Sequence, residues 1–310
     1  MTPSGEFDLI RGITAGLEQS ATTILGPGDD AAVLRMQGDM VVTTDLLVEG
    51  VHFRRNWTPP HQLGRKAVAV NVSDVEAMGA VPTSIVVALA FPSTLEETWI
   101  TQFSAGVRDE CARAGVNLVG GDLSSSDHIV ICVTAMGELQ GQAPVTRAGA
   151  RPGDIVAVRG RLGWSSAGLT VLQRGFGSPK ELVLEHQCPT VPYGQGRVAA
   201  ECGATAMMDV SDGLLADLGH VAVSSRVAID VDTSSFTVTD AVARVCAATG
   251  KPALGFILTG GEDHALVATF PLDVTPPDGW YTVGSVSDGE GVTVDGQPWE
   301  GTAGWDHFAR

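Results

Sequence analysis

The residues best suited to chemistry are aspartates that follow β-branched or glycine-rich sequence. In Val41–Phe53, VVTTDLLVEGVHF, the run Val41-Val42-Thr43-Thr44 reads as a buried strand, and it ends on Asp45. A carboxylate is costly to desolvate unless a positive partner meets it. Four further segments set an acid beside glycine, serine or apolar residues: GPGDDAAVL (Gly26–Leu34), AVNVSDVEAMGA (Ala69–Ala80), NLVGGDLS (Asn117–Ser124) and MMDVSDGLLADLG (Met207–Gly219). None of these five stretches contains a lysine or arginine. Divalent metal ions that in turn hold a polyphosphate would resolve the repulsion, since magnesium prefers hard oxygen ligands and bridges a few carboxylates to phosphate oxygens. Asp30, Asp45, Asp74, Asp122, Asp209 and Asp212 exceed what one ion requires, and Thr43, Thr44 and Ser211 add neutral oxygens. Glycines at Gly26, Gly28, Gly120 and Gly121 would let main-chain amides approach phosphate.

Elements must position these acids. Glu6–Glu18 has the apolar spacing of a short amphipathic helix, and GPGDDAAVLRM is a turn entering a strand, with Gly38 at a hairpin before Val41. Lys66–Met78 is ambiguous. Val68, Val70 and Val72 alternate like a strand, whereas Asn71, Asp74 and Met78 share a helical face; the Gly79-Ala80-Val81-Pro82 stop favours a helix. Ser84–Phe91 and Ile129–Leu139 are strands, Leu95–Ala114 is a helix, and Asn117–Gly121 feeds an acid-terminated turn. Pro144–Asp154 reads as a junction, followed by a strand at Ile155–Arg159 and a helix around Ser165–Arg174. Ser211 is a candidate N-cap for a helix from Asp212 to about Ser224. Val227–Val231 reads as a strand and Asp240–Ala248 as a helix. Gly255–Phe270 reads as two strands broken by TGGEDH, and Trp280–Thr293 as a hairpin turning at Ser287–Gly291. The length of 310 residues and the alternation in both halves predict an α/β (α+β) protein of two domains, 1–148 and 149–310.

Bulk properties narrow the partners. A net charge of −17 argues against a nucleic-acid backbone or an anionic membrane. The five cysteines show no CxxC spacing, which fits a reducing cytoplasm, and no apolar run approaches the roughly 20 residues of a bilayer span. No GxxxxGK[ST], dinucleotide GxGxxG, HRD or DFG sequence is present. His52 and Arg147 are candidate phosphate contacts, and Trp305 in GWDHF is either a stacking surface or ordinary packing.

Taken in order, GEF at Gly5–Phe7, GDDAAV, TTDLLVEGVHF, AVNVSDVEAMGA, GGD at Gly120–Asp122, TRAGARPGD, DVSDGL, LTGGEDHAL and WDHF at Trp305–Phe308 run nearly end to end. This ordered series resembles the thiamine-monophosphate kinase family, within the superfamily of aminoimidazole ribonucleotide synthetase and selenophosphate synthetase. The resemblance implies direct transfer of the ATP γ-phosphoryl to thiamine monophosphate, with several magnesium ions and no covalent nucleophile. It implies metal ligands at Asp30, Thr43, Thr44, Asp45, Asp74, Asp122, Asp209 and Asp212. Nucleotide contacts would come from Gly121, Asp122, Arg147 and Ser211, and substrate contacts from His52, Glu262 and Trp305. The implied fold is a cytoplasmic homodimer whose N-terminal ATP- and magnesium-binding domains form a shared β-barrel. The C-terminal α/β domains then complete each cleft. Thr43 stands where serine is frequent, and His264 where tyrosine is common. The alternatives are a sister synthetase acting on another acceptor, or a catalytically silent magnesium–nucleotide binding module.

Overall fold

The computed structural model describes residues 6–17, 19–28 and 31–305. These fall into two compact units: residues up to Val75 together with Ala80–Gln142, and Glu76–Gly79 together with the chain from Ala143 onward.

In the first unit, α1 (Glu6–Thr14) precedes a short antiparallel pair, β1 (Thr23–Leu25) with β2 (Val33–Leu34). There follow β3 (Met40–Val48), α2 (Pro60–Ala77), β4 (Val81–Phe91), α3 (Glu97–Ala114), β5 (Asn117–Ser125) and β6 (Val130–Glu138). The four long strands form one sheet in the order β3-β6-β4-β5, parallel only between β4 and β5, which α3 joins as a crossover. β3 pairs with β6 and not with β2, so Gly38 does not turn a hairpin. The Gly120-Gly121-Asp122 segment lies within β5, extended beside β4, rather than in a turn.

The strand-like alternation of Lys66–Met78 has a simple cause. The segment is the body of α2, and Ala67, Val68, Ala69, Val70, Val72 and Val75 are all at most 3% exposed. A helix buried on nearly every side carries apolar residues all round, which erases the 3.6-residue contrast with a strand. Glycines bring α3 close. A Cβ on Gly64 would lie 2.1 Å from the Phe103 carbonyl oxygen, and one on Gly106 would lie 1.9 Å from that of His61.

The second unit places β7 (Ile155–Arg159), α4 (Trp164–Gln173), α5 (Lys180–Gln187), α6 (Gln195–Glu201), β8 (Ala206–Val210), α7 (Leu214–Ser225) and β9 (Ala228–Val231) before α8 (Asp240–Thr249) and α9 (Ala253–Thr259). β10 (Ala265–Phe270), β11 (Tyr281–Ser287), β12 (Gly291–Val294) and β13 (Gln297–Pro298) complete a seven-stranded mixed sheet in the order β13-β12-β9-β11-β7-β10-β8. Its core packs Val156, Val158, Met208, Val210, Leu214, Leu218, Ile229 and Val267. Two expectations fail here. The first apolar run of Gly255–Phe270 is helical, because Pro252 starts α9 and its Phe256, Ile257 and Leu258 sink into the core together. β11 and β12 do not form a hairpin, since β9 lies between them and pairs with both.

The four-stranded sheet of the first unit is open, so no barrel closes within one chain among the described residues. No single described helix is long and apolar enough to cross a membrane.

Replacing Gly106 with alanine should destabilise the protein by about 2–3 kcal/mol, because the methyl group must displace main chain rather than a flexible side chain. Chemical denaturation reads this directly, and an unchanged midpoint would mean that α2 and α3 are free to separate.

Candidate functional site

In the first unit, pleating sorts the acidic strand. Along β3, Thr43, Asp45 and Leu47 turn to the face covered by α2, and Val42, Thr44 and Leu46 turn outward. The Thr43 hydroxyl donates to Asp74 Oδ2 at 2.8 Å, and the Asp45 amide donates to Asn71 Oδ1 at 2.8 Å. Asn71 in turn donates from Nδ2 to the Ala67 carbonyl at 2.9 Å, which fixes the orientation of its amide. The helical spacing of Asn71 and Asp74 therefore presents both to one strand.

Thr44 is not in this group. Its hydroxyl lies on the opposite face, donating to the Val133 carbonyl at 2.9 Å and accepting from Thr134 at 3.2 Å. The sheet register runs Asp45–Val133–Val87–Gly121, so Asp45 and Gly121 share a rung but stand three strand spacings apart, about 14 Å. Gly121 is glycine because a Cβ would meet the Val87 carbonyl oxygen at 2.1 Å. Asp122 beside it is exposed and accepts a hydrogen bond from Ser124 at 2.9 Å.

His52 follows the left-handed Gly50, and its Nδ1 accepts the Val48 amide at 3.0 Å. Nε2 is therefore the proton-bearing nitrogen of the neutral ring. Asp30 lies outside the described residues.

The second unit builds its group at one end of the sheet. β10 runs antiparallel to both β8 and β7, so the end of β8 and the start of β10 meet although some fifty residues separate them. At the end of β8, the segment Asp209–Gly213 is held by three main-chain hydrogen bonds. The amides of His264, Glu262 and Trp305 donate to the carbonyls of Val210, Ser211 and Asp212 at 2.8, 2.7 and 2.9 Å. Two glycines make that approach possible: a Cβ on Gly261 would lie 2.8 Å from Ser211 O, and one on Gly304 would lie 2.4 Å from Asp212 O. Glu262 and His264 both take left-handed backbone, with φ of 63° and 50°, which non-glycine residues adopt only when their surroundings enforce it.

Side chains complete the frame. Buried His264 pairs through Nδ1 with Asp209 Oδ2 at 2.9 Å. Asp263 accepts from the amides of Gly163 and Ser165 and so caps α4, whose own N-cap position, Gly163, has no side chain to do so. Burial pushes Asp263 up to about 7 against the lowering effect of those two amides. Asp217 accepts from the amides of Asp212 and Gly213 at 3.2 and 3.1 Å. Burial, then the charges of Asp209 and Asp212, push it up to about 7. The cap at the start of α7 is therefore Asp217, reaching back from within the helix, and not Ser211; α7 begins only at Leu214.

The residues from 28 to 139 match the family model described as AIR synthase related protein, N-terminal domain. The thiamine-monophosphate kinase of Mycobacterium tuberculosis (strain H37Rv) is 46% identical over 309 residues, covering 99% of this chain and 92% of that protein. The chain belongs to the thiamine-monophosphate kinase family. The crystal structure of thiamine-monophosphate kinase from Stenotrophomonas maltophilia K279a matches with a TM-score of 0.81 at 34% identity, covering 96% of this chain and 98% of that one. A structure described as AaThiL complexed with AMPPCP and TMP matches with a TM-score of 0.80 at 37% identity, covering 98% and 97%.

Set beside the site residues that the resemblance to thiamine-monophosphate kinases implied, the structure groups Thr43, Asp45 and Asp74 in one unit. In the other it groups Asp209, Ser211, Asp212, Glu262 and Trp305. Arg147 stays outside that frame, with an exposed side chain and a carbonyl that accepts from Ser225. Trp305 is 61% exposed. Asn71, Asp217 and Asp263 were missed. Asn71 and Asp217 had a signal, a polar residue inside an otherwise apolar helix; Asp263 was masked by the neighbouring Glu262.

Because Asp263 is protonated more readily in the folded chain than in the unfolded one, its ionisation lowers stability as pH rises from 3.8 to about 7. The stability advantage of the unaltered protein over Asp263→Asn should therefore shrink across that window and hold constant above it. Urea titrations at stepped pH test this; an advantage that grows with pH would show the α4 amides holding the carboxylate ionised.

Proposed function

We infer that this chain transfers the γ-phosphoryl group of ATP to thiamine monophosphate, producing thiamine diphosphate and ADP. The carrying observation is near-full-length similarity to thiamine-monophosphate kinases, including one solved with AMPPCP and TMP together. A phosphate oxygen of thiamine monophosphate attacks the γ-phosphorus, and the bond from that phosphorus to the β–γ bridging oxygen breaks. The reaction needs alignment and charge neutralisation more than it needs a protein nucleophile.

The donor set fits magnesium. Thr43, Asp45, Asp74, Asp122, Asp209 and Asp212 offer only hard oxygens, and magnesium keeps waters while taking one or two carboxylates plus phosphate. Among the described residues no three acidic, histidine or cysteine side chains converge on one point. Bound there, magnesium would neutralise phosphate charge and orient the phosphoryl oxygens. We assign Asp30 and Thr44 to the same set as proposals. Gly121, Arg147 and Ser211 would bind the nucleotide, and His52, Glu262 and Trp305 the acceptor. His52 would do so through Nε2–H, and Trp305 through its exposed ring face.

We also propose a homodimer that closes the barrel. The uncovered face of the four-stranded sheet exposes Met40, Val42 and Leu46 at 49%, 52% and 48%, an apolar strip that a second copy would bury. A cytoplasmic setting suits five cysteines that are all free thiols.

Incubation with ATP, magnesium and thiamine monophosphate should yield thiamine diphosphate and ADP in equal amounts, and EDTA should abolish both. Asp45→Ala should lower kcat/KM by roughly 100-fold or more. ADP formed without thiamine diphosphate would overturn the acceptor assignment. Independently, Leu46→Asp should convert the dimer to a monomer in light scattering, and a monomeric unaltered protein would refute the shared barrel.

A further inference from the structure

We propose that His186, on α5, is the positioning residue for the Glu262 carboxylate, and through it for the thiamine part of the acceptor. The inference rests on the reading of Glu262 as an acceptor contact. His186 is 4% exposed, and its Nδ1 lies 3.1 Å from Ser165 Oγ and 3.4 Å from Glu262 Oε2. Nδ1 thus sits at hydrogen-bond distance from Ser165 and at ion-pair distance from Glu262, which keeps one carboxylate oxygen beside the ring while the Glu262 side chain keeps 31% exposure.

The imidazole is itself held from behind. Ser165 sits at the start of α4 with its amide on Asp263 Oδ1 at 2.9 Å. Gly168, one turn on, lets α5 pack against α4: a Cβ there would lie 2.0 Å from the Leu182 carbonyl oxygen and 3.1 Å from the His186 Cβ. Asp263 thus fixes Ser165, Ser165 and Gly168 seat His186, and His186 meets the residue preceding Asp263. The circuit closes on the strained Glu262 backbone, whose amide is already tied to Ser211. A left-handed main chain aims the side chain, and the imidazole constrains one oxygen of its carboxylate. A carboxylate fixed in this way recognises an amino or cationic group, which the thiamine moiety supplies and the nucleotide phosphates do not.

Steady-state kinetics of His186→Leu, His186→Asn, His186→Gln and Glu262→Gln test the assignment. The asparagine amide nitrogen occupies the Nδ1 position, whereas that of glutamine reaches toward Nε2. His186→Leu and His186→Gln should raise KM for thiamine monophosphate about tenfold, with kcat and KM for ATP within about twofold. His186→Asn should restore KM to within about threefold, and His186→Leu combined with Glu262→Gln should be no worse than Glu262→Gln alone. If Glu262→Gln raises that KM and His186→Leu leaves it unchanged, the positioning role is wrong and the acceptor reading stands. If Glu262→Gln leaves it unchanged, both fall. Should the leucine variant not fold, the contrast between asparagine and glutamine decides, and equal losses for both substrates in those two variants would reduce His186 to a packing residue.

Discussion

Three main-chain hydrogen bonds to one loop hold the second unit's chemistry in place. Val210, Ser211 and Asp212 offer consecutive carbonyls, and the amides of His264, Glu262 and Trp305 take them. Each bond alone contributes about 1 kcal/mol net, so energy is not their main effect. They convert three separate stretches of sequence into one frame, and side chains that must face a ligand hang from it at fixed angles. The glycines at 261 and 304 are the steric condition for that frame, because a methyl group at either would press on a loop carbonyl.

The first unit reaches the same end by a different route. There the frame is a side chain: the Asn71 amide accepts the Asp45 N–H, and Asp74 takes the Thr43 hydroxyl, so a helix pins an edge strand whose outward N–H would otherwise go to water. In both units the fold already holds the candidate ligands: Asp45 through its main chain, Asp74 through an oxygen that accepts from Thr43, and Asp209 through an oxygen paired with His264.

Much of this was legible, and the failures have physical causes. The helix over Lys66–Met78 was read from its stop signal, because total burial had hidden its period. Thr44 could not be separated from Thr43 and Asp45 by composition, since only the pleat decides which face a hydroxyl takes. Ser211 looked like the cap of α7 on residue type alone. The cap is Asp217, which the chain can use because the helix starts two residues later than Ser211 would require. The false hairpin at Trp280–Thr293 followed from assuming that sequence neighbours pair, whereas β9 enters between the two strands. The union of DVSDG with GGEDH depends on β8 and β10 being adjacent, a long-range register that no local pattern encodes.

The acids themselves divide by what burial has done to them. Asp263 and Asp217 are buried, pushed upward, and spend their oxygens on the amides of helix starts; they shape the site without meeting a ligand. Asp45, Asp74 and Asp212 are half-buried, restricted by the elements that carry them without being sealed from solvent. A sequence shows both kinds as aspartate beside glycine or serine. The difference lies in donor supply: Asp217 and Asp263 meet main-chain amides at helix starts, whereas Asp45, Asp74 and Asp212 are presented from a strand, a helix face and a loop that other contacts pin.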